Sequence, residues 1–267
     1  MAAKHLYYRK IEKSPELPWL VFVHGAGGSN LTWKRQEDFF KNHFNLLIPD
    51  LRDHGDTGNL DNQENYTFKL IASDLIKVLD KEKIREAHFA GVSMGTLVIH
   101  AIYRFFPERI SSMILYGGVF RNDFRLRFFT ATAKTLNYIL PYHIMYRFFA
   151  QIVMPGNNHK KARNIMIQES AKLSAEAYNK WVGLYTGFGQ FMKQIVNSPF
   201  NIPALACMGS QDFVFLNGAK NFAERNKSLN LKIIKNCGHV CNIERPGEVN
   251  KLSLNFLNEL MFAKNAI

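Results

Sequence analysis

The sequence has few cysteines, no long apolar run and a shortage of acidic residues. Its three cysteines, Cys207, Cys237 and Cys241, form an odd set that offers no disulfide framework, and so few thiols are typical of a reducing compartment. Apolar runs stay far below the ~20 residues that a transmembrane helix requires. Residues 1–13 carry charges throughout and lack the apolar core of a secretory signal. We therefore expect a cytoplasmic protein.

Two of the cysteines flank a histidine, which raises the question of a metal site. Cys237 and Cys241 lie on either side of His239, but no second pair of Cys or His stands at ligand spacing elsewhere in the sequence. We interpret the cysteines as small buried side chains. Neither a metal nor a cofactor is expected.

The acidic residues number 22 against 34 Lys and Arg, which gives a formal net charge of +12. Residues 121–200 hold eleven basic and three acidic residues, so this segment contributes +8 of that charge. A basic surface can attract anionic lipid, nucleic acid or an acidic substrate. Because no nucleic-acid-binding signature accompanies the charge, we expect no nucleic-acid partner. We favour a solvated face, with weak contact to an anionic surface as the alternative.

Short β-rich runs alternate with segments of helical periodicity, which is the pattern of a parallel sheet covered by helices on both faces. Strand candidates lie at 19–23, 45–49, 87–92, 110–116, 203–208 and 231–235. Helix candidates lie near 31–42, 67–81, 94–106, 217–226 and 246–262. The length of 267 residues suits one domain with an insertion. We predict an α/β fold with a doubly wound, mostly parallel sheet.

The alternation breaks after Gly117 and Gly118 and resumes only near Asn201. The residues between contain no strand candidate, and three runs space apolar residues three and four apart, at 130–140, 162–170 and 174–184. A helical insertion in a doubly wound sheet lies over the carboxyl ends of the strands, where ligands bind. We therefore predict a core formed by residues 1–118 and 201–267, with residues 119–200 as a helical cap, or lid.

Residues 91–95 read Gly-Val-Ser-Met-Gly, a G-x-S-x-G pentapeptide with apolar residues on both sides. The pattern is typical of a nucleophile elbow, a sharp turn from strand to helix that exposes a serine. Such a turn is strained and closely packed, so it needs almost no side chain two positions before and after the serine, and Gly91 and Gly95 meet that need. The turn also aims helix N–H groups at any negative charge that develops beside Ser93.

A serine hydroxyl needs a base, and the base needs a third group that holds its tautomer. Asp212 follows the fifth strand candidate and His239 follows the sixth. Ser93, Asp212 and His239 therefore occupy loops at the carboxyl ends of strands, in the chain order Ser, Asp, His. We predict that these three residues are catalytic. Asp123, inside the predicted cap, is the alternative acid.

A second glycine turn, His24-Gly25-Ala26-Gly27-Gly28, follows the first strand candidate. Acyl transfer requires a site for the oxyanion, usually two backbone N–H groups. The N–H of Ala26 can point at the same place as the N–H of Met94, and we expect these two groups to bind the oxyanion. His24 and His54 belong to glycine turns, and we interpret both as structural hydrogen-bonding residues.

These motifs, together with Pro-Asp-Leu-Arg-Asp-His-Gly at 49–55, carry a family resemblance. That stretch is similar to a D-x-R-G-H-G pattern, although Asp53 stands where the pattern usually has glycine. The chain resembles the α/β-hydrolase superfamily over nearly its whole length, in particular its small esterase-like members with a lid. The resemblance implies the α/β-hydrolase fold, a helical lid after the sixth strand, and a triad of Ser93, His239 and Asp212.

Our hypothesis for function is a serine hydrolase that cleaves small to medium carboxylic esters through an acyl-enzyme. Similar proteins use the same triad as C–C hydrolases, lyases and thioesterases, so the fold alone does not select the reaction. The basic cap hints at an acidic or phosphate-bearing substrate, such as a CoA thioester. A ligand-binding regulator with slow turnover is the alternative from another functional class.

Overall fold

One sheet organises the protein, whose computed structural model describes residues 5–58, 60–61, 63–120, 140–197 and 200–265. The strands described are β1 (Tyr8–Ile11), β2 (Trp19–Val23), β3 (Asn45–Pro49), β4 (Ala87–Val92), β5 (Ile110–Tyr116), β6 (Ala204–Gly209) and β7 (Leu229–Ile234). Their order is β1-β3-β2-β4-β5-β6-β7. Only the pairing of β1 with β3 is antiparallel among these neighbours. The predicted fold class, an α/β fold with a mostly parallel sheet, is confirmed.

Helices flank the sheet and fill the segment between β5 and β6. They are α1 (Lys34–Phe40), α2 (Phe68–Lys81), α3 (Met94–Phe105), α4 (Tyr142–Val153), α5 (Lys160–Ser170), α6 (Ala175–Gly183), α7 (Tyr185–Asn197), α8 (Leu216–Arg225), α9 (Cys241–Glu244) and α10 (Pro246–Asn265). α2 packs on α3, and α1 packs on α10. Within the described ranges, no helix combines the length and the apolar character needed to cross a membrane.

The central strands are continuous apolar runs because helices cover both faces of a parallel sheet. All residues of β3 and β4 are buried, and the sequence of β4 is Ala-His-Phe-Ala-Gly-Val. The edge strand β1 differs, since its residues are only partly buried and include Arg9 and Lys10. Such a short charged segment carries no clear strand pattern, and β1 was therefore not predicted from the sequence.

Local signals explain where the helices begin. The side chain of Thr67 accepts a hydrogen bond of 3.1 Å from the N–H of Leu70 and caps the first turn of α2. From there, apolar residues recur at helical spacing and are buried, among them Ile71, Leu75 and Leu79. The N-cap residue Thr67 and the buried apolar face of α2 together explain why a helix forms where the sequence predicts one, at 67–81.

Helices α4 to α7 lie between β5 and β6. α5 and α6 match the predicted runs at 162–170 and 174–184, whereas α4 and α7 were not predicted. The run at 130–140 lies outside the described residues except for Leu140, and Asp123 lies outside them as well. The insertion follows the fifth of the seven described strands and not the sixth, because only β1 precedes β2 in the described sheet.

The two ends of the insertion meet at one apolar cluster. The rings of Phe120 and Phe200 lie 5.2 and 5.7 Å from the ring of Phe222 on α8. His100 on α3 packs against the same two phenylalanines, at 5.9 and 5.7 Å. Both ends are therefore fixed to the core of the protein at the same place.

Candidate active site

Ser93 occupies the turn between β4 and α3 in a backbone conformation that residues with side chains rarely adopt. Its φ is 54° and its ψ is −121°. Its N–H donates to the carbonyl of Tyr116 at 3.0 Å, and its own carbonyl accepts from the N–H and the hydroxyl of Thr96. These hydrogen bonds hold the strained turn and leave the serine hydroxyl at the carboxyl end of the sheet.

The two glycines of the pentapeptide lie where a side chain would not fit. A Cβ on Gly95 would stand 2.2 Å from the carbonyl oxygen of Val23 and 2.7 Å from that of His24. A Cβ on Gly91 would stand 2.7 Å from the side chain of Ile99. The close packing expected of this turn is therefore present, and it brings the start of α3 against the end of β2.

A continuous line of hydrogen bonds joins Ser93 to two buried side chains. Nε2 of His239 lies 2.8 Å from Oγ of Ser93, and Nδ1 of His239 lies 2.8 Å from Oδ2 of Asp212. Asp212 is fully buried, and its other oxygen accepts the N–H of Phe215 at 3.1 Å. The ring of Phe215 stacks on His239 at 4.8 Å. The structure thus brings together the three residues that the sequence predicts to be catalytic.

The glycine turn after β2 lies directly beside the serine. A Cβ on Gly25 would stand 3.3 Å from Cβ of Ser93, and Ala26 lines the same cleft as Ser93. Met94 is the first residue of α3, and the geometry of an α-helix leaves the N–H of such a residue without an intrahelical acceptor. The two backbone groups predicted to bind an oxyanion therefore belong to segments that flank the hydroxyl.

His24 and His54 hold the glycine turn in place. Nε2 of His24 accepts the N–H of Leu51 at 2.9 Å, and Nε2 of His54 accepts the N–H of Gly27 at 3.0 Å. Each Nδ1 therefore carries the proton and donates it to a backbone carbonyl, of Gly25 and of Arg52 respectively. Burial lowers the pKa of His24 to about 4 and that of His54 to about 3. Both imidazoles are neutral structural groups, as predicted.

The loop after β3 explains the departure from the family pattern at Asp53. Its φ is +61°, a left-handed conformation that glycine adopts more readily. The hydroxyl of Tyr66 donates to the Asp53 carboxylate, which holds the residue in this conformation. One position earlier, the buried guanidinium of Arg52 binds Asp74 at 2.6 Å and Asp61 at 2.9 Å.

A cleft opens beside the serine. Its described lining consists of Gly25, Ala26, Gly27, Gly28, Thr32, Val92, Ser93, Phe149, Met166, Glu169, His239, Val240, Asn242 and Ile243. Phe149, Met166 and Glu169 come from the insertion, and the others come from the carboxyl end of β4 and from the segments that follow β2, β4 and β7. The insertion therefore forms one wall of the cleft.

Polar side chains of the insertion bind the loops at the sheet edge. Four such pairs are Ser29 with Glu169, Asn158 with Gln211, His159 with Glu244, and Trp181 with the carbonyl of Arg52. No local sequence pattern indicated these partners, because each pair joins residues far apart in the chain.

The cysteines take no part in a metal cluster within the described ranges, which contain no group of three or more His, Cys, Asp or Glu that could hold an ion. Cys207, Cys237 and Cys241 are buried and free. Burial raises the pKa of the Cys207 thiol, which keeps it protonated. Their interpretation as small buried side chains is confirmed.

Comparison with known proteins places these features in a family. Residues 18–246 match the sequence model of a family described as alpha/beta hydrolase fold. The chain belongs to this family. Membership agrees with the mostly parallel sheet flanked by helices, and it supports hydrolase activity.

Relatives of the α/β-hydrolase family match most of the chain. Protein ABHD8 of Homo sapiens is 27% identical over 252 residues, which cover 89% of this chain and 54% of that protein. The chain thus spans about half the length of this relative. The putative 2-succinyl-6-hydroxy-2,4-cyclohexadiene-1-carboxylate synthase of Bacillus subtilis strain 168 is 22% identical over 250 residues, covering 90% of each chain. The solved enol-lactonase of Burkholderia xenovorans LB400 has a TM-score of 0.78 at 20% identity, covering 95% and 96%.

Proposed function

We propose that this protein is a serine hydrolase that cleaves small to medium carboxylic esters through an acyl-enzyme. The observation that carries the proposal is the unbroken hydrogen-bonded line from Ser93 through His239 to Asp212, which begins on a strained serine at the floor of a cleft. Such a line activates a hydroxyl that is otherwise a poor nucleophile at neutral pH.

In the proposed first step, Oγ of Ser93 attacks the carbonyl carbon of the ester and its proton passes to Nε2 of His239. Asp212 fixes the tautomer of His239 and stabilises the imidazolium that forms. The N–H groups of Ala26 and Met94 stabilise the oxyanion, each contributing about 3 kcal/mol. The intermediate then collapses, and the alcohol leaves with the proton from His239.

The second step returns the enzyme to its starting state. A water molecule attacks the acyl group on Ser93 while His239 accepts one proton of that water. The bond to Oγ breaks, the carboxylic acid leaves, and Ser93 regains its proton. No metal and no cofactor enters this mechanism.

We assign residues 119–200 the role of a cap over this chemistry, on a core of residues 1–118 and 201–267. The assignment is supported by the contribution of Phe149, Met166 and Glu169 to the cleft. A small-molecule ester is the proposed partner, and weak contact of the basic cap with an anionic surface remains a prediction, as does a cytoplasmic location.

A second candidate keeps the same three residues but changes the bond that is broken. It is favoured by the names of two relatives, a putative synthase and an enol-lactonase, which indicate that similar chains act on substrates other than simple esters. Lyase, C–C hydrolase, lactonase and thioesterase activities all fall under this candidate.

The experiment compares hydrolysis of p-nitrophenyl esters, from acetyl to long acyl chains, by the wild type and by Ser93→Ala. Ser73→Ala is the matched control, because Ser73 lies on α2 and its hydroxyl bonds only the carbonyl of Lys69 among the contacts described. We expect turnover in the wild type and the control, and none in folded Ser93→Ala. Full activity in Ser93→Ala would overturn the assignment, and a folded wild type without turnover would favour the second candidate or a regulator.

A further inference from the structure

The described lining of the cleft differs in charge from residues 121–200 taken as a whole. Residues 121–200 carry a net charge of +8 in the sequence. Among the described residues that line the cleft, however, there is no Lys or Arg, and Glu169 is the sole acidic side chain. The described part of the cleft beside Ser93 therefore presents a carboxylate.

Glu169 is held in a fixed position near the C-terminal end of α5. The hydroxyl of Ser29 donates to its Oε2 at 2.6 Å, and Nζ of Lys172 lies 2.7 Å from its Oε1. Ser29 is buried, and it follows the glycine turn beside the serine hydroxyl. Because the turn and the carboxylate are joined directly, Glu169 keeps its place relative to the reacting atoms.

The ammonium of Lys172 compensates the negative charge of Glu169 only in part. Its side chain is 52% exposed against 14% for Glu169, and it does not belong to the described lining of the cleft. Water and salt therefore screen the ammonium more than the carboxylate.

We propose that Glu169 is a specificity-determining residue that selects against esters with a negative charge near the scissile bond and admits neutral or cationic ones. The inference rests on the proposed function and narrows its substrate class. It also opposes the expectation of an acidic or phosphate-bearing substrate, which was based on the basic charge of the cap. That charge belongs to residues 121–200 as a whole, whereas the described lining of the cleft presents the carboxylate of Glu169.

The test uses substrates of similar size that differ in charge. On the acyl side, p-nitrophenyl hexanoate is compared with mono-p-nitrophenyl adipate, in which a carboxylate replaces the terminal methyl group. On the alcohol side, S-(3,3-dimethylbutyl) thioacetate, acetylthiocholine and S-acetyl-3-mercaptopropionate form a neutral, cationic and anionic set. Nitrophenol or thiol release gives kcat/KM for each, and the two sets together cover both sides of the scissile bond.

Three variants separate the charge of Glu169 from its packing. Glu169→Gln removes the charge and keeps an acceptor for Ser29, whereas Lys172→Met removes the compensating ammonium. Glu176→Gln is the matched control, because Glu176 also pairs with a lysine of the insertion, Lys180, but is 73% exposed. It does not line the cleft.

We expect the wild type to prefer the neutral over the anionic ester in at least one set. Like charges about 8 Å apart near a protein surface change an association constant by roughly thirtyfold before salt screening. After screening, Glu169→Gln is expected to reduce the preference by about five- to tenfold. Lys172→Met is expected to increase it by about two- to threefold, and Glu176→Gln to leave it unchanged. A merely structural role for Glu169 would not give opposite effects in the two variants.

The results distinguish failure of the inference about Glu169 from failure of the proposed function. If the wild type hydrolyses neutral esters but Glu169→Gln leaves every neutral-to-anionic ratio unchanged, the inference is wrong and the proposed function stands. The same holds if the wild type prefers the anionic ester in both sets. If a folded wild type hydrolyses none of the five compounds, or if Ser93→Ala retains activity, the proposed function fails and the inference fails with it.

Discussion

Replacing Gly95 with alanine would place a methyl carbon 2.2 Å from the carbonyl oxygen of Val23 and 2.7 Å from that of His24. Both contacts are to backbone atoms, so no side chain can rotate away. Ordinary contact between such atoms begins near about 3.4 Å, which means that the start of α3 and the end of β2 must separate by about 1 Å. These are the segments that carry Met94 and the glycine turn with Ala26.

The expected cost has two parts that can be measured separately. Overpacking of this kind destabilises a fold by about 1–3 kcal/mol, which lowers Tm by several degrees in a chain of this size. A displacement of about 1 Å between the nucleophile and the oxyanion-binding groups lowers kcat by about 100-fold. We therefore expect Gly95→Ala to remain folded at 25 °C but to lose most of its ester hydrolysis.

The assay combines thermal unfolding with kcat and KM on the best p-nitrophenyl ester. Gly183→Ala is the control, because a Cβ on Gly183 at the end of α6 would meet no atom within 4 Å. Alanine at that helical position is expected to be neutral or stabilising by up to ~1 kcal/mol. The reasoning is refuted if Gly95→Ala keeps both the Tm and the kcat of the wild type.

Two further predictions concern stability. The pKa of His24 is lowered to about 4 and that of His54 to about 3, below the usual value of 6.5, so the unfolded chain binds more protons than the folded protein as the pH falls from 6.5. The stability from these histidines is present above pH 6.5 and declines by up to ~1.4 kcal/mol per pH unit for each; an unchanged urea midpoint between pH 6.5 and 4.5 would contradict this. Asp74→Asn, which breaks a buried ion pair with Arg52, is expected to cost about 3 kcal/mol, against less than ~1 kcal/mol for Asp61→Asn, because the Asp61 side chain is 45% exposed. Equal shifts of the urea midpoint in these two variants would show that burial does not set the difference.

The sequence was sufficient to predict features that depend on residues close together in the chain, such as a tight turn or the end of a strand. The pentapeptide around Ser93 predicted a turn whose glycines have no room for a side chain, and the structure has that turn. The strand ends before Asp212 and His239 predicted that these side chains share one edge of the sheet, and hydrogen bonds join them to each other and to Ser93 there.

The sequence was insufficient where the partners are distant or the pattern is weak. Ser29 and Glu169 are 140 positions apart, so nothing in the periodicity of either segment indicates their hydrogen bond. The edge strand β1 is charged and half-buried, and its pairing with β3 depends on tertiary structure. Composition also does not say which of the basic side chains at 121–200 face the cleft, so the charge of the segment does not by itself predict the charge of the substrate.

The cluster of Phe120, Phe200 and Phe222 has a consequence for how such a protein changes over evolutionary time. An inserted segment whose two ends lie side by side can grow, shrink or be exchanged for another without moving the strands that precede and follow it. The sheet with its serine turn and the inserted segment that forms one wall of the cleft can therefore change independently in evolution. Substitutions, insertions or deletions between Phe120 and Phe200 can therefore change the substrate while the sheet stays the same.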